Sequence, residues 1–556
     1  MNEQVLLKYM PLDAKLVVEL GCGEGLLGAK WLSMQPFGQY IGVEAEAAAA
    51  RKGAGRLSRV HVLKPHLTTM PQLGIHGALV DCLVVTERTM NALAGLEDLE
   101  LFLKSHLPYL SSKAVLVLLL PNSRFIGRVQ KWLEGAENAE KVFAAPAVQK
   151  LLERLGFSVT AAVPQVQRSV LRDAGAVKLA QSLLPFAEAQ GISAAEWERE
   201  AFVAAFVLQV SKTAVQKPLL LQTMMGEMQV CARVRVMEPD AFLNTIPGVR
   251  ALHEPGAAKL SLARPEESKI LIRQRIWADL PEAALQQRKL LALGYLTVAE
   301  IDDDPERWLA FHSRNGFFAF RGSHAVQVST PALAECIKQW NPNVAVFPNQ
   351  LAQLPLLKKQ QGPRPVRLFF GALNREADWQ PYLQDVNEVL GRLGSEVEVV
   401  VIHDQQLYAS LGAEKKVFQP FCPYSRYVEL LRSCDVAWLP LEDNRFNRMK
   451  SDLKFLECAG HQVAALASPT VYKETVQDGV TGFLYRSREE LRQRLEQLLR
   501  DGDLRRQLGA NAYAWVKEER LLSQHYRRRY EWYQFLTAHK ERLDAELLQR
   551  APEIIQ

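Results

Sequence analysis

The chain has 556 residues, 48% of them hydrophobic and 23% charged, with 32 Gly and 28 Pro spread along it, which is globular usage and excludes disordered, fibrous and low-complexity classes. That length is more than one hydrophobic core usually serves and implies roughly three to four domains. Lys and Arg (67) exceed Asp and Glu (62) by only five, too thin a surplus to call for nucleic acid as a partner.

Apolar runs such as Ala114–Leu120 have the length of strands and fall far short of the roughly 20 residues that span a bilayer. The first fifteen residues lack the basic-then-apolar order of a secretory signal, and seven scattered cysteines form no CxxC pair. The sequence fits a reducing, cytoplasmic location without a disulfide framework or structural zinc.

Short apolar runs alternate with helical patterns almost throughout, which predicts an α/β protein built on parallel sheets. Lys15–Leu20, Tyr40–Ala45, Gly77–Val85 and Ala114–Leu120 read as strands, and Pro146–Val159 as a helix entering another strand. One doubly wound sheet is expected over residues 1–213. Polar residues and Pro218 then interrupt the pattern at Val210–Gln222, and it restarts with Met228–Met237. Over 214–360, strands are expected at Lys269–Arg275, Tyr295–Asp302, Ala325–Thr330 and Asn343–Asn349, with a helix opened by Pro331. The Lys/Gln/Gly/Pro stretch Lys358–Arg367 has linker composition. A third sheet, over 361–556, takes its strands from Val366–Ala372, Glu396–His403, Val417–Phe421, Val436–Leu441, Val463–Ser468 and Gly482–Tyr485, before a helical tail, Leu491–Leu536. The second and third sheets are similar in size and are expected to face each other across a cleft.

The strand Lys15–Leu20 runs into a turn holding Gly21, Gly23, Gly25 and Gly28. Without Cβ atoms the backbone there can approach a ligand, and the following helix offers free N–H groups. One register, Gly23-x-Gly25-x-x-Gly28 with Glu44 at the end of the next strand, fits a dinucleotide turn. The other, Glu19-x-Gly21-x-Gly23-x-Gly25, resembles motif I of class I S-adenosylmethionine-dependent methyltransferases. Tyr40–Gly53, Phe102–Phe125 and Val148–Val159 resemble that family's second strand, fifth strand and following segment. The resemblance implies a Rossmann-like methyltransferase domain with Glu19, Gly21, Gly23, Gly25 and Glu44 as contacts to S-adenosylmethionine. His61–Thr69 and Val84–Leu93 depart from it, since Lys64 and His66 stand where relatives carry an acid and no Leu-Glu-His follows the fourth strand.

The densest constellation is Cys434–Tyr485. A strand leads through an Asn/Arg loop to a helix expected to open near Ser451 as its N-cap. Lys454 and Glu457, three apart, share a face, and Lys450 precedes the helix. Two ammonium groups and a helix N-terminus suit a diphosphate, and a carboxylate one turn deeper suits the hydroxyls of a ribose. Tyr424–Ser433, Cys434–Leu441, Lys450–Gly460 and Ala467–Tyr485 resemble, in order, the donor-binding domain of retaining GT-B glycosyltransferases, and Val326–Asn349 resembles the end of that fold's first domain. The resemblance spans about residues 218–540. It implies a nucleoside-diphosphate sugar as donor substrate and a glycan or glycoprotein acceptor. It also implies Lys450 and Lys454 on the diphosphate, Glu457 on the ribose, and no required metal. One departure is Met449, where relatives often carry the first of two glutamates eight residues apart.

Gly371, Asn374 and Arg375, at the end of the third sheet's first strand, are expected beside the phosphates. Tyr424 is offered as a stacking surface for the base, and His403 as a cleft residue or a satisfied histidine. Asp302, Asp303 and Asp304 invite a metal reading, but capping and solvation are preferred, with contact to the acceptor as the alternative because these acids end a strand facing the expected cleft. His525–Phe535 mixes arginines with aromatics: the preferred account is a helix packed with its arginines outward, and contact with an anionic membrane at the inner face of the cell membrane stays open. The sequence thus points to a glycosyltransferase fused to a methyltransferase of the kind that assembles bacterial surface glycans. Two alternatives are an inactive first domain and a non-catalytic binding factor; the oligomeric state is not legible.

Overall fold

The computed structural model describes residues 3–134, 143–215, 217–226, 230–358, 364–372 and 375–555. The chain forms two compact units. One comprises Met1–Leu219 with Ala241–Arg250, and the other Leu220–Asp240 with Ala251–Gln556.

The first unit is built on strands β1 (Leu16–Leu20), β2 (Gln39–Glu44), β3 (Arg59–Val62), β4 (Val80–Val85), β5 (Leu110–Pro121), β6 (Ser158–Val166) and β7 (Val203–Ser211). Their order in one seven-stranded sheet is β3-β2-β1-β4-β5-β7-β6. β3 to β5 are parallel, and both β4 and most of β5 are buried. A parallel strand covered on both faces reads as a continuous apolar run, which is why these strands were legible. β7 departs from the expected all-parallel sheet, because it enters antiparallel between β5 and β6. The core packs Val18, Val43, Leu83, Leu118 and Leu208 with the helix residues Leu99, Phe102 and Leu152. Buried Gln209 donates through Nε2 to the carbonyls of Tyr9 (3.0 Å) and Thr245 (3.0 Å), so Ala241–Arg250 belongs with this unit.

The second unit contains two six-stranded sheets. The first uses β8 (Leu219–Met225), β9 (Val249–Pro255), β10 (Ser268–Gln274), β11 (Tyr295–Ile301), β12 (Ala325–Val328) and β13 (Val344–Val346), in the order β13-β12-β11-β10-β8-β9. The interrupting segment Val210–Gln222 contains the start of β8. Val230–Met237, where the strand pattern was to restart, is helical and includes a π turn at Arg233–Met237. Residues 227–229 and 359–363, parts of the expected restart and linker, lie outside the described residues.

The second sheet of this unit uses β14 (Val366–Gly371), β15 (Val397–Ile402), β16 (Lys415–Gln419), β17 (Val436–Leu439), β18 (Ala464–Ala467) and β19 (Phe483–Leu484). Their order is β16-β15-β14-β17-β18-β19, all parallel. The C-terminal helices return to the first lobe: Tyr533 Oη donates to Gln327 (2.7 Å), Arg321 pairs with Glu553 (2.7 Å), and Leu547 and Ile554 pack on Ala284 and Phe318. Two facing Rossmann-like lobes with a returning tail make the GT-B architecture. Arg529 corrects the outward-arginine expectation, since it is buried with its guanidinium over the Phe347 ring.

Candidate functional site

In open α/β sheets ligands bind beyond the carboxyl ends of the strands, where the strand order reverses. Here that rule picks out three places: β1 with β4, β8 with β10, and β14 with β17.

In the first unit Gly21, Gly23 and Gly25 all have positive φ (92°, 53° and 74°), so the turn from β1 into the helix Leu26–Met34 follows a path that side-chain-bearing residues rarely adopt. A Cβ on Gly21 would fall on the Thr86 hydroxyl. Thr86 Oγ1 donates within bonding range of the Leu20 and Gly21 carbonyls (3.1 Å each), and Thr89 Oγ1 donates to Leu20 (2.7 Å). A Cβ on Gly23 would meet only the Arg88 guanidinium, at 3.8 Å or more, so that side of the turn is covered by a single exposed side chain. Glu44 is buried and accepts from the Gly23 amide (2.7 Å) and the Glu46 amide (3.0 Å), with Arg88 at 3.7 Å. Glu19 is buried and accepts from the Tyr40 hydroxyl (2.9 Å). A glycine turn with an acid fixed at its rim fits the amino-acid and ribose parts of S-adenosylmethionine, with the exposed Arg88 beside that acid.

In the second unit both switch points open on one cleft of about 240 Å³. Gly371, Ala372 and Arg375 line it from beyond β14, and Leu439–Leu441 from the end of β17. Lys450, Ser451 and Lys454 follow, on the approach to and first turn of the helix Leu453–Gly460. Asn374 lies outside the described residues. Arg375 donates to Asn447 Oδ1 (2.8 Å) and Asp378 (3.0 Å), which fixes its guanidinium at the rim.

The opposite wall comes from the first lobe: Cys231, Arg235, Arg275, Asp302, Asp303 and Asn349. Arg275 directly follows β10 in the left-handed region (φ 51°), a strained conformation of the kind that clusters at functional sites. Its guanidinium reaches Asp302 (2.6 Å) and Asp303 (3.8 Å). Lys450 donates across the cleft to Asp303 (2.5 Å), which also accepts from Arg307 (2.9 Å). Burial alone would raise the Asp303 carboxyl, but Lys450, Arg275 and Arg307 hold it below the usual range. Burial pulls the Lys450 ammonium down against the attraction of Asp303.

Four sequence expectations change here. The N-cap of Leu453–Gly460 is Asp452, whose carboxylate makes no cap bond but holds Arg520 (2.6 Å); Ser451 Oγ instead accepts from Asn349 (2.8 Å). Glu457 does not open onto the cleft. It is 1% exposed and accepts from Tyr427 Oη (3.0 Å), with Lys454 at 3.4 Å, because a buried carboxylate needs partners. Tyr424 does not present a free face, since the Arg233 guanidinium lies 3.4 Å from its ring centroid and is itself paired with Glu238. Burial raises Glu238 to about 7, with Glu457 adding to the rise and Arg233 opposing it.

The aspartates are not solvated: Asp304 caps the turn Pro305–Trp308 by accepting from Glu306 N (3.0 Å), while Asp302 and Asp303 are paired. His403 stacks on Phe421 (5.1 Å) and is not itself a lining residue, and burial, with Lys454 nearby, lowers it. Met449, at the departing position, is buried in the first lobe's cluster with Ile301, Phe320 and Val328, so it serves as an apolar peg between lobes. Arg235, Arg275 and Asn349 were missed. The only signal for Arg275 was its place at a strand end, and for Arg235 and Asn349 there was none.

Residues 386–534 match a family model described as glycosyl transferase-like. No curated protein sequence matches significantly. Among solved structures, a point mutant of S. aureus TarM in complex with fondaparinux, α-GlcNAc-glycerol and UDP is 12% identical with a TM-score of 0.37, over 48% of this chain and 55% of that one. The present chain thus spans about half the length of TarM. HepE of Anabaena, in complex with UDP and glucose, is 12% identical with a TM-score of 0.41, over 57% of this chain and 98% of that one. A putative S-adenosylmethionine-dependent methyltransferase from Listeria monocytogenes is 12% identical with a TM-score of 0.27, over 38% of this chain and 96% of that one.

Proposed function

We propose that the second unit is a retaining glycosyltransferase that moves a sugar from a nucleoside-diphosphate donor to a hydroxyl of a glycan or glycoprotein acceptor, in the assembly of a bacterial surface glycan. The observation that carries this reading is the cleft at both switch points, where Arg275, Arg375, Lys450 and Lys454 gather, each held by an acid (Asp302, Asp378, Asp303 and Glu457) with which an incoming anion competes. Such a lining favours a diphosphate, and its cations stabilise the leaving group as charge develops on it. Lys450, Lys454 and Arg375 take the phosphates, and Gly371 lets the β14 end approach them. Ser451 completes the donor side, and Tyr424 joins it only where Arg233 leaves its ring. A volume of about 240 Å³ is below the ~300–1,000 Å³ of typical ligand pockets. The donor competes with Asp303 for Lys450, and Glu457 meets the ribose only where Lys454 and Tyr427 yield it. Closure afterwards excludes water.

The first unit is proposed to hold S-adenosylmethionine through Gly21, Gly23, Gly25 and Glu44, with Glu19 behind the turn. When bound, that cofactor supplies an electrophilic methyl group. The chain's own part is to orient it: the glycines of the turn leave room for its amino-acid end, and Glu44 accepts from its ribose.

The test is calorimetric titration of the intact protein with UDP, GDP, dTDP and ADP, and separately with S-adenosylmethionine. Glu457→Ala is expected to weaken the preferred nucleotide on the order of 100-fold, as loss of a charged buried acceptor predicts, while leaving S-adenosylmethionine unchanged. Glu44→Ala should do the reverse. No heat with any nucleotide from folded protein overturns the donor reading.

A further inference from the structure

Arg235 and Glu300 form an ion pair on the floor of the cleft, 1% and 0% exposed, with Nε to Oε1 at 2.6 Å. Arg235 projects from the π turn Arg233–Met237, an irregularity often found at functional sites. Its Nη1 donates to the Phe347 carbonyl (2.5 Å) and to Asn349 Oδ1 (3.0 Å). Among the described residues its Nη2 is buried without a partner, although Arg235 lines the cleft.

A buried ion pair returns little stability compared with apolar residues of the same size, and leaving a buried donor unmade is costly. Fold stability alone therefore gives weak reason for this arrangement. Its position is informative: Asn349 Nδ2 donates to Ser451 Oγ (2.8 Å), so two hydrogen bonds separate Arg235 from the residue beside Lys450. Arg235 and Lys450 line the same cleft, so a sugar attached to a phosphate held by Lys450 shares that space with Arg235. The charge decides which part of the donor is met. Glu300 already neutralises Arg235, and an incoming phosphate or sugar carboxylate would bring a second anion up to a buried carboxylate. A neutral hydroxyl needs only the spare N–H.

We propose that Arg235 Nη2 donates to a hydroxyl oxygen of the transferred sugar, with Glu300 as the residue that positions the guanidinium, and that the pair selects neutral hexoses over uronic acids. This rests on the donor reading above and assigns one further contact within it.

The experiment compares, by calorimetry on the intact chain, the bare diphosphate that binds best with its glucose and glucuronate conjugates. Wild type is expected to bind the glucose conjugate more tightly than either the bare diphosphate or the glucuronate. Arg235→Gln should lose roughly tenfold or more of the gain from glucose, with the bare diphosphate held within about twofold. Glu300→Gln, which keeps size and an acceptor for Nε, should narrow the glucose-to-glucuronate ratio by about tenfold; it keeps the test decisive where Arg235→Gln does not fold. A glucose gain that survives Arg235→Gln, an equal loss for the bare diphosphate, or no gain in wild type overturns the proposal. Absence of binding by every bare diphosphate overturns the donor reading itself.

Discussion

The glycine turn of the first unit and the cationic cleft of the second are built on opposite plans. The turn is made of backbone: three glycines with positive φ carry the chain along a path that side-chain-bearing residues rarely adopt, and one acid braces it through the Gly23 amide. The cleft is made of side chains, and about a third of them come from a lobe separated in sequence from the donor helix by more than a hundred residues. A site of backbone is contiguous and tolerates no Cβ. A site of converging side chains depends on which partners hold them, so its chemistry changes with those partners.

The sharpest way to test the contrast is Gly21→Ala. The added Cβ falls on the Thr86 hydroxyl at a φ of 92°, and a clash combined with left-handed strain costs roughly 3 kcal/mol. Thermal unfolding followed by calorimetry should show the loss in one transition, with donor nucleotide affinity intact; a uniform loss would mean the two plans are coupled. A smaller effect concerns the cleft's own lobe. His312 is 1% exposed among Trp277, Phe317 and Phe320, and burial lowers it from 6.5 to about 4. A histidine with a depressed folded value contributes its stability above 6.5 and loses it as pH falls towards 4. The second unit should therefore soften over that window by about 2 kcal/mol, and His312→Phe should flatten the dependence. An unchanged pH profile in that variant would discard the assignment.

The smallest expected effect lies in the cleft itself. Asp303→Asn removes the carboxylate that holds Lys450, and nucleoside diphosphate affinity should rise about threefold to tenfold because a competing anion is gone. Weaker binding in a titration would show instead that Asp303 is needed to place Lys450 and that the ion pair between lobes is not a competitor.

Much of the fold was legible because buried parallel strands print as apolar runs: β1, β4, β5 and most of the third sheet stand out in this way. β7 also prints as one, yet its antiparallel insertion is a matter of pairing, which no single strand records. Val230–Met237 alternates in a manner that suits a strand but packs as a helix with a π turn, because tertiary packing overrides a short pattern. Gly21, Gly23, Gly25 and Glu44 were readable as a motif since their spacing along the chain is their spacing in the structure.

Lys450, Lys454 and Glu457 were readable for the same reason, being within two turns of one another. Their partners were not: Asp303 on Lys450, Tyr427 on Glu457 and Arg233 over Tyr424 come from elsewhere in the chain. The sequence by itself determined the α/β elements, the two ligand turns and the residue types that serve them. Only the tertiary structure decided which charges meet, because an ion pair requires two groups a few ångströms apart and chain distance carries no information about that separation once the lobes have folded together.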